Sequence, residues 1–392
     1  MTEEIKKKSL ELHKKQKGKL EIYSKSKVES FDDLSLIYTP GVAEVSKEIY
    51  KNPESVYDYT IKGNSVAVVS DGSAVLGLGN IGFEAAIPVM EGKAVLFKEF
   101  AGIDAFPVVI KTQDTEEFIK IVKNISGVFG GINLEDISAP RCFEIEKRLK
   151  KELDIPVFHD DQHGTAIVVL AGLINALKLT GKKKDEIKVL VNGAGAAATA
   201  ITKLLFRYGI KNIVVMDSKG AICHQRNDEL SDVKKELVCI TNPLNEKGFL
   251  KELIKEKDVF IGVSKGDLLN KEDIKKMAEN PVIFALANPV PEISFEEAKK
   301  GGAKIIATGR SDYSNQVNNV LAFPGIFKGA LDARVRNITE DMKLAAAKAL
   351  ADSVSDSELN EDKIIPGVFE GVADIVAERV RYCAKNGCPF LG

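Results

Sequence analysis

Along the chain, short β-branched apolar runs alternate with longer stretches of helical spacing, and no internal repeat or low-complexity tract interrupts them. In the first part the runs that predict strands are residues 66–70, 94–97, 106–111, 127–132 and 156–159. In the second part they are 188–192, 212–217, 238–241, 258–263, 282–287 and 304–308. Most of the second set are continuously apolar, the mark of parallel strands covered by helices on both faces. Beyond Arg310 the strand signal stops and helices are predicted over 316–331, 339–353 and 368–385. The last of these lines one face with Val368, Val372, Ile375, Val376 and Val380. The pattern is that of an α/β protein. It predicts an N-terminal α/β substrate domain over 1–162 and a doubly wound, Rossmann-like dinucleotide-binding domain over 163–392. C-terminal helices over 330–392 form a tail with the option of packing back on the first domain. The boundary is set near residues 161–164, where a strand gives way to an apolar helix expected over 165–179.

Composition narrows the functional classes. The 392 residues carry 55 Lys and Arg against 57 Asp and Glu. That balance excludes the basic excess of a phosphate-tracking nucleic-acid binder and the surplus of an acidic tail. With 44% hydrophobic residues the chain is long enough to bury two cores. Its longest uncharged apolar stretch, 162–177, falls short of the roughly 20 residues that span a bilayer, so no membrane partner is expected. Cys142, Cys223, Cys239, Cys383 and Cys388 are scattered without a Cys-x-x-Cys pair, against a disulfide framework or a zinc ribbon. A reducing, cytoplasmic compartment follows as the expectation. The Lys-rich first 30 residues are broken by Glu3, Glu4, Glu11, Glu21 and Glu29 and read as a solvated helix.

Two loops match the dinucleotide-binding glycine pattern: Gly77-Leu78-Gly79-Asn80-Ile81-Gly82 and Gly193-Ala194-Gly195-Ala196-Ala197-Ala198. The pattern has meaning only between a strand and a helix, whose N-terminus offers free N–H groups and positive dipole to a pyrophosphate. Gly193 follows the strand expected over 188–192, and the segment from Ala196 to Phe206 lacks Pro and Gly. After Gly82 a helix meets Pro88 within six residues, which marks the first loop as a decoy. The plain alternative for the second loop is a tight turn that only packs helix on sheet. Asp217, 22 residues beyond Gly195, ends the next strand, where a carboxylate accepts from ribose hydroxyls and favours NAD. Lys219 stands two residues on and leaves NADP as an alternative.

Acidic residues cluster at two strand ends, Glu135-Asp136 and Asp160-Asp161. Adjacent side chains on a strand diverge, so a turn is needed to bring a pair to one point. Three such carboxylates suit Mg²⁺ or Mn²⁺, hard ions that take oxygen ligands. His159 and His163 are four apart, but the residue after His159 is Asp rather than the Glu of the zinc-protease pattern. The plain alternative is that Asp160 or Asp161 caps the helix expected from Thr165.

Six blocks in order resemble the malic enzymes, the short bacterial form in particular. They are Tyr38-Thr39-Pro40-Gly41-Val42, the Gly77–Gly82 loop followed by Gly92-Lys93, Ile132-Asn133-Leu134-Glu135-Asp136, Asp160-Asp161-Gln162-His163-Gly164-Thr165, Ala287-Asn288-Pro289 and Asn318-Asn319. The likeness runs from about Lys25 to Gly371. It implies a metal-dependent oxidative decarboxylation of L-malate to pyruvate and CO₂ with NAD (NADP as alternative), carried out by a homodimer. It further implies that Glu135, Asp136 and Asp161 hold the divalent cation, that Lys93 is general base with Asp160 in contact, and that Tyr38 is general acid. Asn288 and Asn319 would bind the substrate carboxylate remote from the metal, and Gly262 and Ser264 would line the nicotinamide side. By residue chemistry alone, Lys93 reads as a solvated surface lysine and Tyr38 as a half-buried packing residue, and only the resemblance favours the catalytic roles. One departure stands out: the large animal and plant forms carry arginine in an Asp-Gly-x-Arg block, where this chain has Ala74. Ser73 or backbone N–H groups of that loop become the candidate carboxylate anchor. Two other readings keep the nucleotide without decarboxylation: a hydroxy-acid or amino-acid dehydrogenase, and a regulator that senses NAD(H). The acidic set speaks against the first, since hydride transfer alone needs no metal.

Overall fold

The computed structural model describes residues 3–388. Strands β1 (Ser65–Ser70), β2 (Asp104–Val109), β3 (Gly131–Leu134) and β4 (Val157–His159) form a parallel sheet in the order β2-β1-β3-β4. Val66 of β1 lies opposite Ala105 on one side and Gly131 on the other. Strands β5 (Val189–Asn192), β6 (Ile213–Asp217), β7 (Gly220–Ala221), β8 (Val259–Gly262), β9 (Val282–Ala285) and β10 (Ile305–Thr308) form a second sheet in the order β10-β9-β8-β5-β6-β7. Every pairing in it is parallel except β6 with β7. This is an α/β architecture of two sheets, and the strand order reverses at β5, where ligands gather in folds of this kind.

Several expected elements are changed. Residues 94–97 are not a strand but the last part of a helix, Phe83–Ala101. That helix runs through Pro88, its sixth residue, so the expectation that Pro88 interrupts a helix after Gly82 is not met. Residues 238–241 likewise close the helix Asp232–Ile240, which buries Leu237 and Val238. Both errors concern four-residue apolar runs, for which periodicity cannot separate strand from helix. The strand expected over 127–132 moves to β3 because Ser126–Val128 form a 3-10 turn. The helix expected from Thr165 begins five residues earlier, as Asp160–Thr180. Within 368–385 the helix spans Val372–Asn386.

That Asp160–Thr180 helix is the hub. By length and composition it would cross a membrane, yet Ala166 to Leu177 are buried, so its apolar length is consumed by the core. The largest apolar cluster is continuous through it, from Val66, Phe97 and Phe158 to Val189, Val191 and Phe284 of the second sheet. Asn175, fully buried in it, donates to Ala351 O and Ile364 O and so docks the tail. Phe97 packs edge-on against Phe323 at 4.7 Å and Phe327 at 5.3 Å, on the tail helix Phe323–Asp332. The helices Glu3–Gln16, Phe31–Ile37 and Val42–Lys51, by contrast, bury none of their residues. Cys383 and Cys388 lie side by side at the end of the last helix, with Cα atoms 4.6 Å apart.

Candidate active site

Lys93 rises from the middle of the Phe83–Ala101 helix and is 7% exposed. Its Nζ lies 2.6 Å from Asp160 Oδ2, 2.9 Å from Glu135 Oε1 and 4.1 Å from the centre of the Phe323 ring. Burial alone would lower its pKa, but Asp160 and then Glu135 outweigh that and hold it above the ordinary lysine value. Asp160 opens the Asp160–Thr180 helix, whose N-cap is His159. Neither Asp160 nor Asp161 is therefore the N-cap, and the plain capping explanation of the pair falls away. Gly164 leaves room for Asp160: a Cβ there would stand 2.0 Å from Asp160 Oδ1 and 3.0 Å from Asn319 Cβ.

The second acidic pair is brought round by a backbone turn. Glu135 N donates to Val69 O, continuing the β3 ladder, and Asp136 then adopts φ +53°. This left-handed residue sends the Asp136 N–H to Asp161 Oδ2 at 2.9 Å, joining the two strand ends. Burial first, then the charges of Asp161 and Glu135, push the Asp136 carboxyl up to about 8. Burial likewise lifts Asp160 to about 8 against the pull of Lys93, and raises Glu135 and Asp161. Four carboxylates thus face one ammonium, and Asp136 Oδ2 and Asp160 Oδ1 are buried without a hydrogen-bond partner. Oxygen donors in excess of positive charge are the chemistry of a hard-cation site. Among the described residues, however, no three His, Cys, Asp or Glu side chains converge on one ion-sized point; Glu135 and Asp160 turn to Lys93 instead.

The loop after β1 is tied down internally. Asp71 Oδ1 accepts from Ser73 N at 3.0 Å and Ser73 Oγ at 2.5 Å, while Asp71 Oδ2 accepts from Arg141 Nη1 at 2.8 Å. Ser73 Oγ also accepts from Ser138 N, and Ala74 N donates to Asp136 O. The donors expected to anchor a carboxylate at Ser73 and Ala74 are already engaged. This loop shapes the Asp136 turn. Tyr38 follows the Phe31–Ile37 helix, 67% exposed, and among the described residues its hydroxyl has no hydrogen bond. The structure does not bring it into the buried cluster.

On the second sheet, Gly193 has φ +130°, and a Cβ there would meet Val263 O at 2.9 Å, so β5 and β8 can close only on glycine. Gly195 is the N-cap of the helix Ala196–Tyr208, which carries Ala196 and Ala197 in its first turn. A side chain on Gly195 would meet nothing within 4 Å. Ser264 Oγ accepts from Asn192 Nδ2 at 2.9 Å. The backbone N–H groups of Ser264 and Ala287 converge on the buried Glu292 carboxylate, which fills the space beside Gly262. Asn288 is exposed and precedes a cis proline; its O would stand 2.6 Å from a Cβ on Gly77, so the first glycine loop abuts the second domain. Asp217 is engaged by Lys234 Nζ at 2.7 Å, Arg226 Nη2 at 2.9 Å and Lys219 N at 2.9 Å. Burial opposes its ionisation, but Lys234 and the Lys219 N–H overcome that and hold its pKa below the usual carboxylate range. Arg226, Lys234 and Phe323 were missed in the sequence; only the basic residues spaced after Asp217 offered a signal.

The comparisons match this layout. A family model described as the malic enzyme N-terminal domain covers residues 16–150, and one described as the malic enzyme NAD binding domain covers 162–384. The second contains the Gly193 loop and the first the Gly77 loop. The bifunctional malic/malolactic enzyme of Bacillus subtilis is 58% identical over 383 residues, 97% of this chain and 93% of that protein. The NAD-dependent malic enzyme of Geobacillus stearothermophilus is 60% identical over 364 residues, 93% of this chain and 75% of that protein. The crystal structure of malic enzyme from Pyrococcus horikoshii aligns with a TM-score of 0.94 at 51% identity, covering 98% of this chain and 92% of that one.

Proposed function

The chain belongs to the malic enzyme family, and from that premise we propose that it oxidises L-malate, releases CO₂ and leaves pyruvate while reducing NAD. The observation that carries the reading is Lys93, buried between Asp160 and Glu135 where β3 and β4 end. There a proton-transfer group lies among oxygen donors that outnumber the positive charge.

Glu135, Asp136 and Asp161 are the residues to hold Mg²⁺ or Mn²⁺; their hard oxygen donors, raised pKa values and unpartnered Asp136 Oδ2 support that assignment. Bound groups supply the remaining chemistry, the cation as Lewis acid toward the substrate oxygens and the dinucleotide as hydride acceptor. Lys93 takes the proton of the malate C2 hydroxyl. To do so it first sheds its own, and Asp160, whose Oδ2 lies 2.6 Å away, is the nearest acceptor. Loss of CO₂ leaves an enolate that requires a proton at C3, the role that the resemblance gives Tyr38, although in this structure Tyr38 stands exposed outside the buried cluster. Asn288 and Asn319 hold the carboxylate remote from the cation. Gly193, Gly195, Ala196 and Ala197 receive the pyrophosphate, and Ser264 and Asn288 border the nicotinamide.

NAD is the expected cofactor because Asp217 ends β6. Its pairing with Arg226 and Lys234 supports use of NADP as well, since the carboxylate does not present a bare negative charge to a 2′-phosphate. Tyr38 lies on a segment whose Ile22, Tyr23, Phe31, Leu36 and Tyr50 are all exposed. That apolar surface supports a homodimer in which a second copy covers it. The near-neutral charge supports a reading without a nucleic-acid partner, and the scattered cysteines support a cytoplasmic enzyme. Product analysis by NMR with ¹³C-labelled malate tests the reaction: pyruvate and CO₂ are expected, while oxaloacetate or lactate as the end product would overturn it.

A further inference from the structure

Glu146 lies on the Arg141–Glu152 helix and is 6% exposed. It touches none of the proposed catalytic or cation-binding side chains. Its oxygens nevertheless collect four donors: the backbone N–H of His159 at 3.2 Å, Gln162 Nε2 at 3.3 Å, His163 Nε2 at 2.8 Å and Lys150 Nζ at 2.7 Å. Three of the four come from residues 159, 162 and 163, which flank Asp160 and Asp161 on both sides. The hold extends further. Lys343, 1% exposed on the tail helix Glu340–Asp352, places Nζ 3.0 Å from His163 Nδ1 and 2.6 Å from Glu340 Oε1. An ammonium only donates, so Nδ1 accepts and the ring proton sits on Nε2, aimed at Glu146. The tautomer is thereby set from the tail. A buried, fully satisfied polar network of this kind rigidifies what it holds.

We infer that Glu146 is a positioning residue for the Asp160–Asp161 pair, gripping the turn before and after it, with His163 and Lys343 bracing the grip from the tail. Asp160 thereby meets Lys93, and Asp161 meets the Asp136 N–H. The inference rests on the proposed cation site in one respect, that displacement of Asp161 is read out as weakened cation binding.

The test is direct binding of Mn²⁺ to the whole enzyme without malate or dinucleotide, followed by the loss of the free-ion electron paramagnetic resonance signal. Glu146→Gln puts an amide donor against the donors it must receive. It is expected to raise the Mn²⁺ dissociation constant about 10-fold, the low end of what loss of a supporting partner costs a metal site, and to raise the malate KM. NADH affinity, measured by fluorescence, is expected to stay within about twofold. Should Glu146→Gln fail to fold, a second pair decides. His163→Leu removes both bonds and is expected to weaken Mn²⁺ binding, whereas His163→Gln, which has one donor and one acceptor to replace them, is expected to restore it. Unchanged Mn²⁺ affinity in Glu146→Gln and His163→Leu, with only a lowered Tm, would overturn the positioning role. Absence of Mn²⁺ binding by the unmodified enzyme would instead overturn the cation site itself.

Discussion

Lys93 and Asp160, 67 residues apart in the chain, meet at 2.6 Å with both side chains buried. The pair joins the middle of one helix to the first residue of another, and so couples the sheet end that carries the acidic cluster to the helix that forms the hub of the core. At this distance the ammonium donates a short charged hydrogen bond to the carboxylate, and Asp160 and Glu135 together hold the proton on Lys93.

If Lys93 acts by proton transfer rather than by charge alone, Lys93→Arg is as damaging as Lys93→Met. Arginine keeps the charge but does not deprotonate. Both variants are expected to lower kcat for malate at least about 100-fold, the lower range for loss of a general base, with NADH affinity unaltered. Steady-state kinetics beside fluorescence titration check this; substantial activity in Lys93→Arg would reassign the base.

Gly164→Ala tests the Lys93–Asp160 contact through backbone space. In a helix interior alanine is favoured over glycine by roughly 0.8–1.0 kcal/mol, yet here the added Cβ would stand 2.0 Å from Asp160 Oδ1. The carboxylate must swing away and leave Lys93. Because breaking a buried ion pair costs about 3–5 kcal/mol and outweighs that gain, a lowered Tm together with a loss of turnover is the expected result, from thermal denaturation and an activity assay on the same sample. A fully active variant would show that the Lys93–Asp160 contact is dispensable.

Much of the fold was legible. Strands β1, β4, β5, β6 and β8 to β10 fall on the apolar runs that predict them, because parallel strands buried on both faces keep their polar residues to their ends. The runs at 94–97 and 238–241 misled for the same reason: a fully buried helix segment is equally apolar. In the site, Glu135, Asp136, Asp160 and Asp161 were visible as acids at strand ends, and the turn that pairs them appears in the structure as the positive φ of Asp136. Phe323 under Lys93 reaches the site from an element distant in sequence, and Glu146 behind Asp160–Asp161 comes from the helix before β4 as one acid in a run of charged residues, so neither had a local signature.

Lys234 and Arg226 give cofactor choice a measurable handle. Lys234→Gln removes a charged hydrogen bond from Asp217, of the kind worth about 1.5–3 kcal/mol, and lowers the local positive charge. The ratio of kcat/KM for NADP to that for NAD is expected to fall about 10-fold. An unchanged ratio in steady-state assays would place cofactor discrimination elsewhere.

Phe97 is fully buried against Phe323 and Phe327, and joins the first domain to the tail. Phe97→Ala is expected to cost about 3–5 kcal/mol of stability, as large-to-small changes of buried phenylalanine do. Since Phe323 also carries Lys93 on its ring face, activity per folded molecule is expected to fall too. Urea denaturation gives the first quantity and active-site titration the second; a loss below 1 kcal/mol would mean that the tail docks through other contacts.

The central claim, that one site couples metal-dependent oxidation of malate to its decarboxylation, is tested most directly by measuring NADH and CO₂ together. One CO₂ released per NADH formed from L-malate, abolished by a chelator and restored by Mg²⁺ or Mn²⁺, is the predicted result. NADH without CO₂, or turnover indifferent to the chelator, would contradict it.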